Sequence, residues 1–256
     1  MSVKQAANVL ELLEYFSQRQ KPATLTEISD DLGWPRSSTF NLVGTVVERG
    51  YLYEPRPRAG YYPTPRWLTL VQKISDAEPL PEAAHQIVAQ IARETGETTA
   101  IAALSGVYAM FMQVQESTHA VRYHAQVGDR VPAHASSVGR AILAQLTPDA
   151  RQAVYRKMAF ERYSDTTPID IETIESELNN ARERGYHQSH SEFIPDLAGV
   201  SLPLALSGRA LSIVVAGPLS RCLERRPQIA KIMKRALAAY GASPDAIEAG
   251  GAAPSP

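Results

Sequence analysis

The sequence predicts an α+β fold in two parts, a helical N-terminal part and a mixed α/β C-terminal part. Two observations support this division. Short amphipathic helical patterns and a hairpin pattern fill residues 1–63, whereas helical and strand-like patterns alternate across residues 81–241. Residues 64–80 carry one more helical pattern and end in closely spaced prolines, which predicts a linker helix. The small, proline-rich segment 242–256 is expected to be a flexible tail.

Composition limits the classes of protein that fit. The chain has 256 residues, of which 44% are hydrophobic and 21% charged, so it can form folded cores. Cys222 is the only cysteine, which excludes an internal disulfide and favours a cytoplasmic location. Acidic residues interrupt the apolar N-terminal stretch, so no signal peptide is expected, and no apolar run is long enough to predict a membrane span. The net charge of -1 leaves room for a local basic patch.

The first three helices are predicted from apolar spacing and from their ends. Residues 3–18 repeat apolar side chains at helical intervals before a lysine–proline break. In the next helix, LTEISDDL, a threonine is the expected cap, and Gly33 is the expected end because glycine adopts the left-handed conformation without strain. Pro35 suits the first turn of the third helix. The expected buried stripe of that helix is Thr39, Leu42, Val43 and Val46.

A hairpin follows the third helix. Gly44, in mid-helix, costs about 1 kcal/mol relative to alanine, so we expect a neighbouring group to approach it closely. Gly50 ends the helix, and the sequences YLYE, PRPRAG and YYPT then predict two strands around a turn. Helix, helix, turn, helix and hairpin in this order define a winged helix-turn-helix.

Such a motif places the N-terminal end of its second helix in the DNA major groove. Serine hydroxyls there can donate to phosphate oxygens, an asparagine can pair with adenine, and a phenylalanine can touch a thymine methyl. Arginines at the helix start and in the wing would supply positive charge. The candidate DNA contacts are Arg36, Ser37, Ser38, Phe40, Asn41, Arg56 and Arg58. Each residue alone is equally explained as a helix cap or a solvated turn residue, but the ordered set favours DNA binding.

The C-terminal part is predicted as alternating helices and strands. The expected helices cover 82–95, 136–146, a segment from 147 onward, 170–184 and 227–240. The expected strands lie near 98–105, 107–116, 121–127, 198–206 and 209–216, the last two joined by Ser207-Gly208. We identify no internal repeat in this order of elements.

One helix start in this part is a candidate ligand site. In AHASSVGRAIL, the residues Ser136, Ser137, Val138 and Gly139 would leave backbone N–H groups unpaired at the positive end of a helix, which suits a carboxylate. Gly139 lacks a side chain, so a ligand could approach its backbone. From these residues alone, a plain serine cap on a surface helix is the better interpretation. Met110 on a nearby strand is either pliable pocket lining or ordinary core.

Taken together, these segments resemble the IclR family of bacterial transcriptional regulators. SVKQAANVLELL and LTEISDDLGWPRSSTFNLVGTVVERGYL resemble its DNA-binding half, and VGDRVPAHASSVGRAILAQL with GRALSIVVAGPLSR resembles its effector-binding half, over roughly residues 3–240. The resemblance implies a winged helix-turn-helix, a linker helix and a GAF-like α/β effector-binding domain. It also implies a homo-oligomer, dimer or tetramer, that acts on double-stranded operator DNA. Gln5 and Asn41 stand where family members commonly carry basic residues, which alters the usual operator contacts.

The resemblance also implies a set of effector-binding positions. They are Ser136, Ser137, Val138, Gly139, Glu192, Gly199, Ser201, Ser212, Val214 and Ala216. Met110 is a further candidate from its own chemistry rather than from the resemblance, although a methionine on a strand is more often ordinary core. Cysteine or serine is frequent in the family where Gly199, Val214 and Ala216 stand, so this pocket is expected to be less polar. We therefore expect a carboxylate- or amide-bearing effector with an apolar or aromatic body. Such a compound would be degraded by the enzymes of a catabolic operon that the protein controls. Glu192 is a candidate acceptor for a hydroxyl or amine of that effector.

Catalysis and metal binding fit the sequence less well. His187 and His190 form an H-x-x-H pattern without evident further ligands, and His134 with Ser136 lacks a G-x-S-x-G elbow. We predict no catalytic residue, metal or cofactor. Two alternatives stay open: a hydrolase or metal-dependent enzyme fused to a DNA-binding domain, and a protein-interaction module with a vestigial pocket.

Overall fold

The N-terminal unit, which ends at Pro79, begins with three helices around one apolar core. In the computed structural model, which describes residues 3–77, 80–206 and 209–241, these helices are α1 (Lys4–Arg19), α2 (Leu25–Leu32) and α3 (Arg36–Glu48). Leu12 and Phe16 of α1 pack with Ile28 of α2 and Val43 of α3. The three predicted helices are confirmed, because each has one apolar stripe that can meet the others.

The ends of α2 follow local chemistry. Thr24 and Glu27 form a reciprocal capping box, and Gly33 ends the helix in the left-handed conformation, as predicted. α3 differs in two details. Pro35 is its N-cap rather than a residue of its first turn. The expected close neighbour of Gly44 is not found, because within the described chain no atom lies within 4 Å of a Cβ built there.

The predicted hairpin forms the wing. β1 (Leu52–Tyr53) pairs antiparallel with β2 (Tyr62–Pro63). Ala23 and Tyr61 add a backbone bridge, with N–H to oxygen distances of 3.0 and 2.7 Å, that ties the base of the wing to the segment before α2. Gly60 makes this approach possible, because a Cβ there would lie 2.3 Å from the Ala23 carbonyl carbon.

α4 (Arg66–Ala77) follows the wing and is anchored at its start. The indole N–H of Trp67 donates to the Tyr51 carbonyl at 2.9 Å, and the Arg66 guanidinium lies 4.8 Å from the centre of the Tyr51 ring. Farther along, the apolar side chains are exposed. They are Leu68, Leu70, Val71 and Ile74. The predicted apolar face of α4 therefore exists, but within the described residues only its first turn packs on the core.

The C-terminal unit is built on one antiparallel sheet of six strands. Its strands are β3 (Thr98–Ser105), β4 (Tyr108–Gln115), β5 (Arg130–Pro132), β6 (His187–His190), β7 (Leu197–Leu206) and β8 (Arg209–Pro218), in the order β5-β4-β3-β8-β7-β6. Its helices are α5 (Glu82–Thr95), α6 (Ser137–Leu143), α7 (Pro148–Tyr155), α8 (Ile171–Arg184), α9 (Leu219–Cys222) and α10 (Arg226–Ala239). Gly96 and Gly185 end α5 and α8 as predicted.

Helices cover both faces of this sheet. α5 and α10 pack on one face through a cluster that includes Ile87, Ile101, Val200 and Met233. α6 packs on the other face, where Val138 and Ile142 meet side chains of β3, β4 and β8. α7 and α8 pack beyond α6. α6 is therefore buried between the sheet and an outer layer, and it is seven residues long rather than reaching Leu146.

The strand predicted at 121–127 is wrong. That segment is irregular, and the strand of this region is β5, which pairs with β4 beyond the turn at Gly128. The side chains of 121–127 do not alternate between two faces of a sheet. Two of them, Arg122 and His124, pair with Glu116. β6 lies at the His187–His190 stretch, whose sequence indicates a strand leading into a loop, and α9 was not predicted. The Ser207-Gly208 connection and the predicted flexible tail, 242–256, lie outside the described residues. Among the described residues, no helix is long and apolar enough to cross a membrane.

Two glycines of the N-terminal unit test how the wing is held. Gly33 and Gly60 both have positive φ, but a Cβ meets a neighbour only at Gly60. Gly33→Ala should lower the free energy of unfolding by about 1–2 kcal/mol, from backbone strain alone. Gly60→Ala should lose about 1–3 kcal/mol more, because backbone atoms must also move apart. Urea unfolding followed by tryptophan fluorescence reports this unit, since Trp34 and Trp67 are the only tryptophans. Equal losses in the two variants would contradict the close approach.

Candidate functional site

The exposed surface of α3 and the wing holds the first group of predicted residues. Arg36, Ser37, Ser38, Phe40, Asn41, Arg56 and Arg58 are all exposed, and the Phe40 side chain is 65% exposed. In this group, the three arginines form no ion pair with any described carboxylate, whereas Arg19 pairs with Glu27 and Asp31. The structure thus places a hydroxyl-bearing helix start and unpaired guanidinium groups on the surface of one unit.

Thr39 shows that not every hydroxyl at this helix start is available. Its side chain is fully buried and donates to the Pro35 carbonyl at 3.2 Å. Ser37 and Ser38 make no side-chain hydrogen bond within the described residues and are exposed. Because Pro35 provides no side-chain cap either, the first turn of α3 keeps donors that an anion can use.

A cavity opens between α6, the sheet and the segment after β6. It measures about 420 Å³ including its open mouth. Its lining consists of Phe111, Tyr123, Val131, Ala135, Ser136, Ser137, Val138, Ser189, Glu192, Phe193, Ile194, Leu197, Gly199, Val214 and Ala216. The walls are mainly aromatic and branched aliphatic side chains, so the cavity suits a ligand with an apolar body.

Seven of the predicted effector-binding residues lie in this lining and four do not. Ser136, Ser137, Val138, Glu192, Gly199, Val214 and Ala216 line the cavity. Ser212 donates to the Val138 carbonyl at 2.9 Å, and Ser201 shares a hydrogen bond of 2.8 Å with Ser137, so both instead hold α6 to the sheet. Met110 alternates with the lining residue Phe111 along β4, and its side chain therefore belongs to the opposite face.

Gly139, the fourth residue outside the lining, serves the fold rather than a ligand. A Cβ there would lie 2.3 Å from the Cα of Ala133, so the glycine admits protein backbone, and the expectation that a ligand approaches it is wrong. Gly199 has a similar role at the cavity wall. A Cβ there would lie 2.6 Å from the hydroxyl oxygens of Ser137 and Ser189. Gly199 thus leaves room for two polar groups at one end of the cavity.

The sequence analysis missed Arg140, which lies beside the cavity, and several residues of the cavity lining, including Phe111, Tyr123, Ser189 and Phe193. The Arg140 side chain is 0% exposed, yet it carries a guanidinium group. Two of its nitrogens donate to the Glu192 carboxylate at 2.6 and 3.0 Å. The same nitrogens donate to the carbonyls of His134 and Gln188 at 2.7 and 2.5 Å. We call Arg140, Glu192 and these two carbonyls the Arg140 network. A signal for it was present in the sequence, since an arginine interrupts the otherwise small and apolar SVGRAIL.

The Arg140 network changes how Glu192 can act. The carboxylate lines the cavity, but its charge is balanced by a bidentate partner, so the cavity does not present an uncompensated negative charge. Each carboxylate oxygen still has a lone pair beyond the one that accepts from Arg140. The expected hydrogen bond from an effector therefore stays a prediction.

Several polar groups of the lining remain without partners inside the protein. Within the described residues, the hydroxyls of Tyr123 and Ser189 and the backbone N–H groups of Ser137 and Val138 make no hydrogen bond. Burial raises the pKa of Tyr123 to about 12, with a smaller contribution from Asp129. Tyr123 is therefore neutral at physiological pH and can donate. These four donors, on two sides of an apolar cavity, can bind a carboxylate or another oxygen-rich group.

Features that suggested chemistry have structural roles. The Ser136 hydroxyl donates to the Pro132 carbonyl at 2.7 Å and accepts from the Gly139 N–H, so it caps α6. The ring of His134 bonds to the Glu161 carbonyl at 3.0 Å. Burial raises the pKa of Cys222 to about 12, with Glu97 adding to the shift. Among the described residues, no three His, Cys, Asp or Glu side chains converge as metal ligands.

A winged helix-turn-helix followed by an α/β unit with a ligand-sized cavity is the architecture of a transcriptional regulator that senses small molecules. Comparison with known proteins identifies the family. Residues 72–240 match "Bacterial transcriptional regulator IclR C-terminal", and residues 5–56 match "IclR helix-turn-helix domain". The chain belongs to the IclR family of bacterial transcriptional regulators, which confirms the resemblance and the fold class inferred from the sequence.

Individual relatives agree with this placement. The chain is 25% identical over 241 residues to the transcriptional repressor IclR of Escherichia coli, covering 91% of this chain and 88% of that one. It is 27% identical over 227 residues to the regulator BhcR of Paracoccus denitrificans, covering 88% and 80%.

Two solved structures are also similar. IclR of Thermotoga maritima matches with a TM-score of 0.74 and 16% identity, covering 93% of this chain and 98% of that one. An IclR homologue of Microbacterium hydrocarbonoxydans, in complex with 4-hydroxybenzoate, matches with a TM-score of 0.68 and 26% identity, covering 92% and 99%.

The Arg140 network predicts a specific pattern of stability losses. Glu192→Leu should lower the free energy of unfolding by about 3–5 kcal/mol, because it leaves a buried guanidinium without its counter-charge. Arg140→Met combined with Glu192→Leu should lose less than Glu192→Leu alone, since both charges are removed. Chemical unfolding followed by far-ultraviolet circular dichroism measures these losses.

The exposed pair of Arg235 and Glu94 provides the control for this experiment. The Arg235 side chain is 67% exposed, and Glu94→Leu should cost less than about 1 kcal/mol. For the buried pair, the loss in the double variant could equal the sum of the losses in Arg140→Met and in Glu192→Leu measured separately. That result would show that the two buried charges do not depend on each other.

Proposed function

We propose that this IclR-family regulator binds operator DNA through α3 and the wing, and that a small acid in the cavity beside α6 changes this binding. The observation that carries the proposal is the cavity, which combines apolar walls with polar groups that the protein itself leaves unpaired. Because Ser137 and Val138 are buried, a ligand that accepts from their unpaired N–H groups is favoured. Action on bacterial DNA places the protein in the cytoplasm.

On the DNA side, the exposed start of α3 lies in the major groove in this proposal. Ser37 and Ser38 donate to phosphate oxygens, and Asn41 and Phe40 face base edges. Arg36 and the wing residues Arg56 and Arg58 neutralise phosphates, which is supported by their exposure and by their lack of carboxylate partners among the described residues. The net charge of -1 makes these local charges important for affinity.

On the ligand side, we expect a carboxylate with an aromatic or branched apolar body. Tyr123, Ser189 and the two free N–H groups of α6 supply donors, while Phe111, Phe193 and Val214 supply apolar contact. Arg140 balances the charge of Glu192, so an acid entering the cavity is not repelled by an isolated carboxylate. The Microbacterium relative was crystallised with 4-hydroxybenzoate, an aromatic acid of this chemical class. Genes for the catabolism of such an acid are the expected target.

We also propose that the active form is a homo-oligomer, a dimer or a tetramer. The exposed apolar side chains of α4 support this: Leu68 is 70% exposed, Ile74 66% and Val71 58%. An apolar surface on an amphipathic helix is stabilised when a partner covers it. A second copy of the chain would also bring a second recognition helix to the other half-site of a palindromic operator.

The described side chains that suggested catalysis give more support to binding. A hydrolase would need an activated nucleophile, but the Ser136 hydroxyl is used as a cap, and burial raises the pKa of Cys222. Burial also lowers the pKa of His134, and its ring is bonded to a backbone carbonyl. Assays for turnover of any acid that binds would separate the enzyme alternative from regulation.

A ligand screen tests the proposed cavity. Aromatic and aliphatic acids that bind the folded protein should raise its melting temperature. Tyr123→Phe should weaken binding of the best acid by about 10-fold, which is the effect of losing one hydrogen bond to a charged group. Tyr186→Phe is the matched control, because Tyr186 packs against the core on the other face of the sheet. Isothermal titration measures both. Equal affinity of the two variants would place the ligand elsewhere.

A footprint tests the DNA function directly. The purified protein should protect a segment upstream of its own gene, and the acid found in the screen should change that protection. Asn41→Ala should cost about 1–3 kcal/mol on the mapped operator but little on unrelated DNA, if Asn41 pairs with a base edge. An equal loss on both DNAs would instead assign a phosphate contact to Asn41. Absence of salt-dependent binding to any promoter fragment would refute the proposed function.

A further inference from the structure

Gly44 occupies a position in α3 that disfavours glycine. The helix runs from Arg36 to Glu48, so Gly44 lies well inside it, four residues before the end. Glycine is less favourable in a helix interior than every residue except proline, because it loses the most backbone freedom. A glycine at this position therefore needs a reason that outweighs helix propensity.

The described part of the chain provides no such reason. Other glycines of this protein are explained by contact or by backbone conformation: Gly139 admits the backbone of Ala133, and Gly33 has a φ of +65°. Gly44 has neither property, because a Cβ there would meet nothing within 4 Å and its φ is not in the left-handed region. The position is exposed. Any steric reason for the glycine therefore lies outside the described protomer.

Helix geometry places Gly44 on the proposed DNA-facing surface. At about 100° per residue, Gly44 points within about 20° of Ser37, two turns earlier. One turn earlier, Phe40 and Asn41 lie on either side of this direction. Gly44 is thus on the midline of the exposed surface, between the two side chains that we expect to reach base edges.

We propose that Gly44 is the point at which the α3 backbone approaches operator DNA most closely, and that its missing side chain determines how deeply the helix enters the groove. This inference rests on the proposed function. A helix with side chains is about 10–12 Å wide and the major groove is about 12 Å wide, so one extra side chain on the midline displaces the helix outward. Gly44 is in this sense a positioning residue, which allows Phe40 and Asn41 to reach the bases.

The test separates stability from DNA binding, because the two should change in opposite directions. Gly44→Ala should stabilise the N-terminal unit, with a roughly fivefold smaller equilibrium constant for unfolding, measured by urea unfolding with tryptophan fluorescence. The same variant should bind the footprinted operator roughly fivefold more weakly or worse, and Gly44→Leu roughly a hundredfold more weakly, as overpacking of a close contact requires. Fluorescence anisotropy with labelled operator measures the affinities.

Asn180→Ala and Asn180→Leu are the controls, because they place the same alanine and leucine side chains at an exposed position of α8 in the other unit. They should leave operator affinity unchanged. Operator affinity of Gly44→Leu equal to that of the wild type would overturn the inference while leaving the proposed function intact. Destabilisation by Gly44→Ala would also overturn it, by revealing a steric reason inside the protein. Loss of oligomerisation in Gly44→Leu, measured by sedimentation, would overturn it by assigning the contact to a second copy of the chain.

Discussion

The architecture of the C-terminal unit depends on one buried guanidinium group. Arg140 is fully removed from solvent, so its charge can be stabilised only by protein partners. Those partners come from three places: the segment before α6, the strand β6, and Glu192 in the segment that follows β6. Any displacement of one of these segments leaves a buried charge or carbonyl unpaired. The Arg140 network therefore fixes α6 and one wall of the cavity in a single arrangement.

The N-terminal unit is organised differently, since the wing is held in place by backbone contacts. The Ala23–Tyr61 bridge holds the wing, and Gly60 allows the two chain segments to touch. The exposed residues of α3 and the wing take no part in that support. Their side chains are therefore available to DNA without disturbing the contacts that hold the wing.

Features with a local cause could be predicted from the sequence, and those with a distant cause could not. The ends of α2, α5 and α8 were predicted, because a cap such as Thr24 or a left-handed glycine such as Gly33 acts within one turn of its own position. The strand at 121–127 failed because alternation does not identify a pairing partner, and β4 pairs with residues beyond the turn instead. Gly139 was misinterpreted because its steric neighbour, Ala133, is brought there only by the fold. Arg140 was missed because its acidic partner lies 52 residues away in the sequence.

The part of the cavity lining that lies on β8 has a consequence for how this protein can evolve. Val214 and Ala216 lie on β8, between β3 and β7, and the strand is held by backbone hydrogen bonds that do not depend on side-chain identity. Exchanging these two residues alters the shape and polarity offered to a metabolite but leaves the charged anchor of α6 untouched. A few mutations on this one strand could therefore change which ligands fit the cavity, while the Arg140 network is inherited unchanged.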